Sequence, residues 1–244
     1  MRKIRVFETP DELNAAAAEL FVEIGEAAIS KRGQFVVALS GGSTPAPVYK
    51  LIAERHRSRL DWKRVFFFFG DERNVPADSP ESNYRMANDT LFSALPLHHD
   101  SVHKWPTWRE VPEKIAEDYA LEINHFFQGS PRLDLILLGL GTDCHTASLF
   151  PQTSALGENE KIAVANWVEK LGDYRFTLTF PLINNAPNVM FIVSGKEKAE
   201  AAAQVLEGEF RPDEFPAQFV DPENGTLYWL VDETAASLLN RNKS

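Results

Sequence analysis

Short apolar runs alternate with amphipathic stretches along almost the whole chain, and several of the runs stop abruptly at glycine or charge. Gln34–Leu39 (QFVVAL), Val65–Phe69 (VFFFF), Leu133–Leu138 (LDLILL), Val189–Val193 and Leu227–Val231 are apolar at consecutive rather than alternating positions. That is the pattern of strands buried on both faces in a parallel sheet. A shorter strand is predicted at Ile4–Phe7. Helical signals fall between the strands. Thr9-Pro10-Asp11-Glu12 reads as a capping box with proline in the first turn, opening a helix to about Lys31. Pro45 opens another through Val48, Leu51 and Ile52, and helices are predicted over Asn83–Leu91, Val111–Phe127, Lys196–Leu206 and Glu233–Leu239. The alanine run Ala15–Ala18 fits a close-packed helix face. Repeated strand–helix units predict an α/β fold, a mostly parallel sheet with helices on both faces.

The candidate chemistry gathers where strands end. After Leu133–Leu138 the chain breaks at Gly139 and Gly141 and then presents Asp143 and His145, with Thr146 and Ser148 placed to cap a following helix. Ligands of open α/β sheets bind at the carboxyl ends of the strands, and a histidine there can titrate near neutrality and act as a general base. An isolated Asp-x-His also fits a histidine that merely caps a loop. Two further loops add weight to the first reading. In Ser40–Pro45 (SGGSTP), Gly41 and Gly42 permit left-handed or closely approached backbone, and Ser43 and Thr44 supply hydroxyls. Amides at the helix start that follows favour an anion. With neither a Gly-Lys-Ser/Thr ending nor G-x-G-x-x-G, the loop points to a phosphate ester or a sugar rather than a nucleotide. Gly70–Arg73 (GDER) follows Val65–Phe69 and places Asp71 and Arg73 at the same predicted edge.

Composition narrows the partners. At 244 residues, with no linker, repeat or low-complexity tract, the chain is expected to form a single domain over residues 1–244. Its net charge of −10 argues against nucleic acid, which rewards clustered Lys and Arg. An anionic small molecule must then be held by locally placed cations. No apolar run approaches the length that spans a bilayer, and no charged-then-apolar leader is recognised. No membrane contact and a cytoplasmic location are therefore expected. One cysteine excludes an internal disulfide framework. Six histidines without H-E-x-x-H or C-x-x-C spacing give no metal site, so neither metal nor cofactor is expected. His98 and His99 read as solvated loop residues, and Trp105, Trp108 and Trp167 are assigned no role.

SGGSTP, GDER and GLGTDCHTASLFP, in this order and spacing, resemble the 6-phosphogluconolactonase family, and the resemblance runs over nearly the whole chain. Further matches are Arg175 in YRFTLT, the INNA segment Ile183–Ala186, Gly195 with Lys198-Ala199, and the ending LYWLVDETAA. One departure is Cys144, where the family usually has glycine. A non-glycine residue at positive φ costs on the order of 1 kcal/mol. The resemblance implies a three-layer, Rossmann-like fold shared with sugar-phosphate isomerases and deaminases, and hydrolysis of a phosphorylated sugar δ-lactone by a monomer or homodimer. His145 would take a proton from water, with Asp143 holding its ring or the substrate hydroxyls. The Gly41 and Gly42 amides would serve the oxyanion or the phosphate. Arg175 and Lys198 would grip the phosphate with help from Arg73, and Asp71 would contact substrate hydroxyls. Two other readings share the scaffold. A deaminase or isomerase carries a carboxylate where this chain has Ser148-Leu149-Phe150-Pro151, and a non-catalytic sugar-phosphate sensor would normally carry a basic helix-turn-helix.

Overall fold

A computed structural model describes residues 1–108 and 111–240. In chain order the elements are β1 (Arg2–Phe7), α1 (Pro10–Arg32), β2 (Phe35–Leu39), α2 (Ala46–Arg55), β3 (Val65–Phe69), β4 (Asp71–Arg73), α3 (Asn83–Thr90), α4 (Pro112–Phe126), β5 (Leu135–Leu138), β6 (Ala163–Val168), β7 (Asp173–Leu178), α5 (Phe180–Asn184), β8 (Asn188–Val193), α6 (Ala199–Glu207) and β9 (Thr226–Asp232). Strands β1, β9, β8, β5, β2 and β3 lie in that order in one sheet, with every pairing parallel. Strands β4, β7 and β6 form a second, antiparallel sheet.

The consecutive apolar positions explain the first sheet. Every residue of β2 and β5 is buried. Successive side chains of a strand point to opposite faces, so both faces of the sheet centre are covered. The edge strand β1 differs, with all its residues exposed except the half-buried Phe7. Helix α1 starts at its predicted cap: Thr9 Oγ1 accepts from the Glu12 amide at 3.2 Å, whereas Glu12 Oε2 reaches one residue past the capping-box position and accepts from the Glu8 amide at 3.1 Å. Ala17 and Ala18 are fully buried on this helix, which packs against α2, but Ala15 is exposed and Ala16 half-buried, so only half of the alanine run forms a close-packed face.

The strand order fixes where a ligand can sit. From β2 the chain moves outward to β3, then returns to the other side of β2 and proceeds through β5, β8 and β9. The direction reverses between β2 and β5, so the loops leaving their carboxyl ends diverge and open a crevice. Those loops are SGGSTP and the Asp143–His145 segment.

Three expectations need correction. The antiparallel sheet is not predicted, because β4 is very short and β6 and β7 mix buried and solvated positions (Asn166, Trp167, Asp173, Arg175) without clean alternation. No helix forms after Thr146 and Ser148, whose hydroxyls are committed elsewhere, to Gly139 O at 2.9 Å and Asp71 Oδ2 at 2.8 Å. Glu233–Leu239 forms successive turns instead of a helix. The Asp232 carboxylate takes the Ala235 amide and Thr234 hydroxyl while also accepting from Ser194 and Gly195, which fixes the segment in turns.

Candidate active site

The loop after β5 is wound tightly on itself. The Gly141 amide donates to His145 O at 2.8 Å and the Cys144 amide to Gly141 O at 3.0 Å. Closing so short a turn forces Cys144 to φ 64° and Ala147 to φ 47°, so the expected left-handed position is present, with cysteine in it. A side chain on Gly141 would overlap His145 Nδ1 and Asp143 Oδ1, and glycine there lets the loop carry both groups side by side. His145 Nδ1 lies 2.5 Å from Asp143 Oδ1. Its ring stacks on Phe150, centroids 4.1 Å apart at 25°. Burial pushes the Asp143 carboxyl up, but the hydrogen bond and charge of His145, together with Lys170 on the other oxygen, outweigh it and hold the group well below the usual carboxylate range.

Across the crevice, the loop after β2 offers donors instead. Tyr49, buried in α2, donates its hydroxyl to Ser40 O at 2.8 Å and accepts the Ser40 amide at 3.0 Å, pinning the loop from below. Gly42 is left-handed (φ 96°), and Gly41 touches the Asn83 carboxamide so closely that a side chain would overlap it. Among the described residues, none of the Gly41, Gly42, Ser43 and Thr44 amides has an acceptor. Four N–H groups without an acceptor thus lead into α2, whose N-terminus favours an anion.

The β3 exit supplies the crevice's second wall. Asp71 is buried, with Oδ2 accepting from Ser148 Oγ at 2.8 Å and Oδ1 from Asn83 Nδ2 at 3.3 Å. Its carboxylate joins the β5 loop to the start of α3. The neighbouring Glu72 is more buried and accepts from the amides of Asn83 (2.7 Å), Tyr84 (2.9 Å) and Arg73 (2.9 Å) and from Ser82 Oγ (3.0 Å). Burial raises its carboxyl against those donors. Arg73 reaches Glu81 O, and Arg175 Nη1 donates to Asp173 Oδ2 and Tyr174 O, each at 3.0 Å. The two arginines sit directly opposite each other in the β4–β7 pairing. Lys198 ends the short turn that follows β8, and among the described residues its ammonium has no acidic partner.

The predicted residues therefore divide. Asp143 and His145 are in contact; Gly41 to Thr44 leave β2, the strand beside β5 at the reversal point; Arg73 and Arg175 are opposite each other on the second sheet; Lys198 stands beyond β8, directly before α6. Sequence reasoning missed Lys170, Glu72, Asn83 and Phe150. Glu72 lay in the quoted GDER and Phe150 in the quoted SLFP, whereas nothing local marks Lys170 or Asn83. Among the described residues His98, His99 and Asp100 could share a metal ion, and all three are exposed. Trp105 is a core residue stacked on Tyr119 at 3.9 Å, while Trp108 and Trp167 are exposed. No helix among the described residues is long and apolar enough to cross a membrane.

Residues 8–229 match the family described as glucosamine-6-phosphate isomerases/6-phosphogluconolactonase. A 6-phosphogluconolactonase of Synechocystis sp. is 43% identical over 217 residues, 87% of this chain and 88% of its own. One of Nostoc sp. is 37% identical over 244 residues, 98% and 99% of the two chains. The solved structure of 6-phosphogluconolactonase from Trypanosoma brucei is similar with a TM-score of 0.84 at 30% identity, covering 98% of this chain and 99% of that one. The sheet order, the crevice loops and these likenesses agree: the chain belongs to the glucosamine-6-phosphate isomerase/6-phosphogluconolactonase family.

Proposed function

We infer that this chain hydrolyses 6-phospho-D-glucono-1,5-lactone to 6-phospho-D-gluconate, the lactone-opening step of the oxidative pentose phosphate pathway. Its likeness to 6-phosphogluconolactonases over almost its whole length supports the activity. The observation that carries the mechanism is the His145–Asp143 contact. An ionised carboxylate only accepts, so Nδ1 carries a proton, and the imidazole in its neutral form presents its lone pair at Nε2. That nitrogen has no partner among the described residues.

His145 Nε2 takes a proton from water as the water oxygen bonds to C1, and the carbonyl oxygen gains the charge. The Gly41–Thr44 amides act as fixed donors to that oxyanion or to the phosphate. Collapse breaks the bond from C1 to the ring oxygen, which receives the proton from His145, and the new acid loses its proton to solvent. Arg73, Arg175 and Lys198 hold the phosphate ester. Like charges directly opposite in a sheet repel, and an anion between Arg73 and Arg175 relieves that cost. Asp71, with both oxygens engaged by Ser148 and Asn83, braces the loops and is poorly placed to shuttle a proton between sugar carbons. This favours hydrolysis over isomerisation or deamination.

The test is a coupled assay on freshly generated 6-phosphogluconolactone, with spontaneous hydrolysis as the background. Acceleration above that background is expected; a rate equal to it would overturn the reading.

A further inference from the structure

The outer oxygen of Asp143 is held by a residue from the other sheet. Lys170 Nζ pairs with Asp143 Oδ2 while Asp143 Oδ1 faces His145 Nδ1, so the carboxylate bridges the lysine and the imidazole. The backbone that carries the lysine is fixed. Lys170 sits in the tight turn Glu169–Leu171 between β6 and β7, closed by left-handed Gly172, whose amide donates to Val168 O and Glu169 O at 3.0 Å. Trp167 Nε1 holds the adjacent Glu169 at 2.8 Å, keeping that competing carboxylate on the tryptophan. The Lys170 ammonium also lies 4.6 Å from the centroid of Phe150, the same ring that His145 stacks on. Lys170, Asp143, His145 and Phe150 thus form one cluster assembled from both sheets.

We propose that Lys170 is a positioning residue: it fixes the Asp143 carboxylate against the His145 ring, and its positive charge sets the pH at which His145 can accept a proton. This rests on the reading of His145 as the base. Two opposite effects act on the imidazole. Asp143 favours the imidazolium and Lys170 opposes it, both through the same short chain of contacts. Without Lys170 the Asp143 charge acts uncompensated, the imidazolium is stabilised, and less free base exists at neutral pH. The other charged groups around the cluster stay the same when Lys170 is changed: Glu169 hydrogen-bonded to Trp167 Nε1, Arg175 on the β7 arm paired with Asp173, Glu214 paired with Arg211, and Glu200 beside Glu214 at the cavity behind Asp143. Lys170 is about half exposed, so solvent screens its charge and the effect is moderate.

The experiment follows the His145 ring resonances by NMR through a pH titration of the full chain, without substrate, in wild type and in Lys170→Met, Lys170→Gln and Lys170→Arg. The His145 midpoint is expected to rise by roughly half a pH unit in both neutral variants and to stay at its wild-type value in the arginine variant. The acid limb of kcat/KM for the phosphorylated lactone should move in the same direction. An unchanged midpoint in both neutral variants overturns the proposal. A raised midpoint in protein that does not accelerate lactone hydrolysis upholds the Lys170 assignment and overturns the functional reading instead.

Discussion

The two loops that border the crevice solve opposite problems. The loop after β2 has no ionisable side chain and offers its backbone: Tyr49 pins it at Ser40, and the next four amides have no acceptor among the described residues. The loop after β5 consumes its own backbone groups in tight turns and works through side chains, holding an acid and a base in contact. The first keeps Gly41 bare where the Asn83 carboxamide comes close. The second must tolerate left-handed residues to turn so sharply. Local geometry therefore decides which part of a residue is available for chemistry, and a change that spares one loop should damage the other.

The largest effect is expected at the side-chain loop. His145→Ala should lower kcat by roughly a hundredfold or more, the scale of a lost general base, with little change in Tm. Near wild-type turnover in steady-state assays would remove His145 from the mechanism. Gly141→Ala should come close to that loss, on the order of tenfold to a hundredfold, because the added methyl overlaps His145 Nδ1 and Asp143 Oδ1 and must push the pair off its alignment. Full activity together with an unshifted His145 resonance would show that the loop yields without cost.

Charge removal at Arg175 or Lys198 should act on substrate discrimination. Activity toward the phosphorylated lactone should fall by roughly tenfold or more relative to unphosphorylated gluconolactone, since a phosphate contact aligns the remote carbonyl as well as binding it. Equal losses on both substrates would assign these residues to the fold or the chemistry. The smallest effect is expected for Cys144→Gly. Relieving φ 64° should return about 1 kcal/mol, partly offset by the lost burial of the side chain and by the greater backbone freedom of glycine when unfolded. Chemical denaturation should show a change within about 1 kcal/mol and kcat close to wild type; a large loss of either would mean the thiol's packing in the cavity behind the loop matters more than the strain.

Much of this molecule was written in local pattern. The interior strands could be read from consecutive apolar residues because a doubly covered sheet leaves no polar face to interrupt them. The cap of α1 and the glycine breaks after β2 and β5 are likewise chemistry between residues close in sequence. From these came the α/β fold, the interior strands of its sheet, and the pairing of Asp143 with His145. What tertiary structure alone decided lies between segments far apart in the chain. Strands β4, β6 and β7 become a sheet only by pairing with one another, which brings Arg73 opposite Arg175. Both oxygens of Asp71 are engaged because Ser148 and Asn83, distant in sequence, reach it. Lys170 meets Asp143 only because the β6–β7 turn folds back over Phe150. A short-range pattern records what a residue does to its neighbours along the chain; which charge ends beside which carboxylate is set by long-range packing, and no local spacing encodes it.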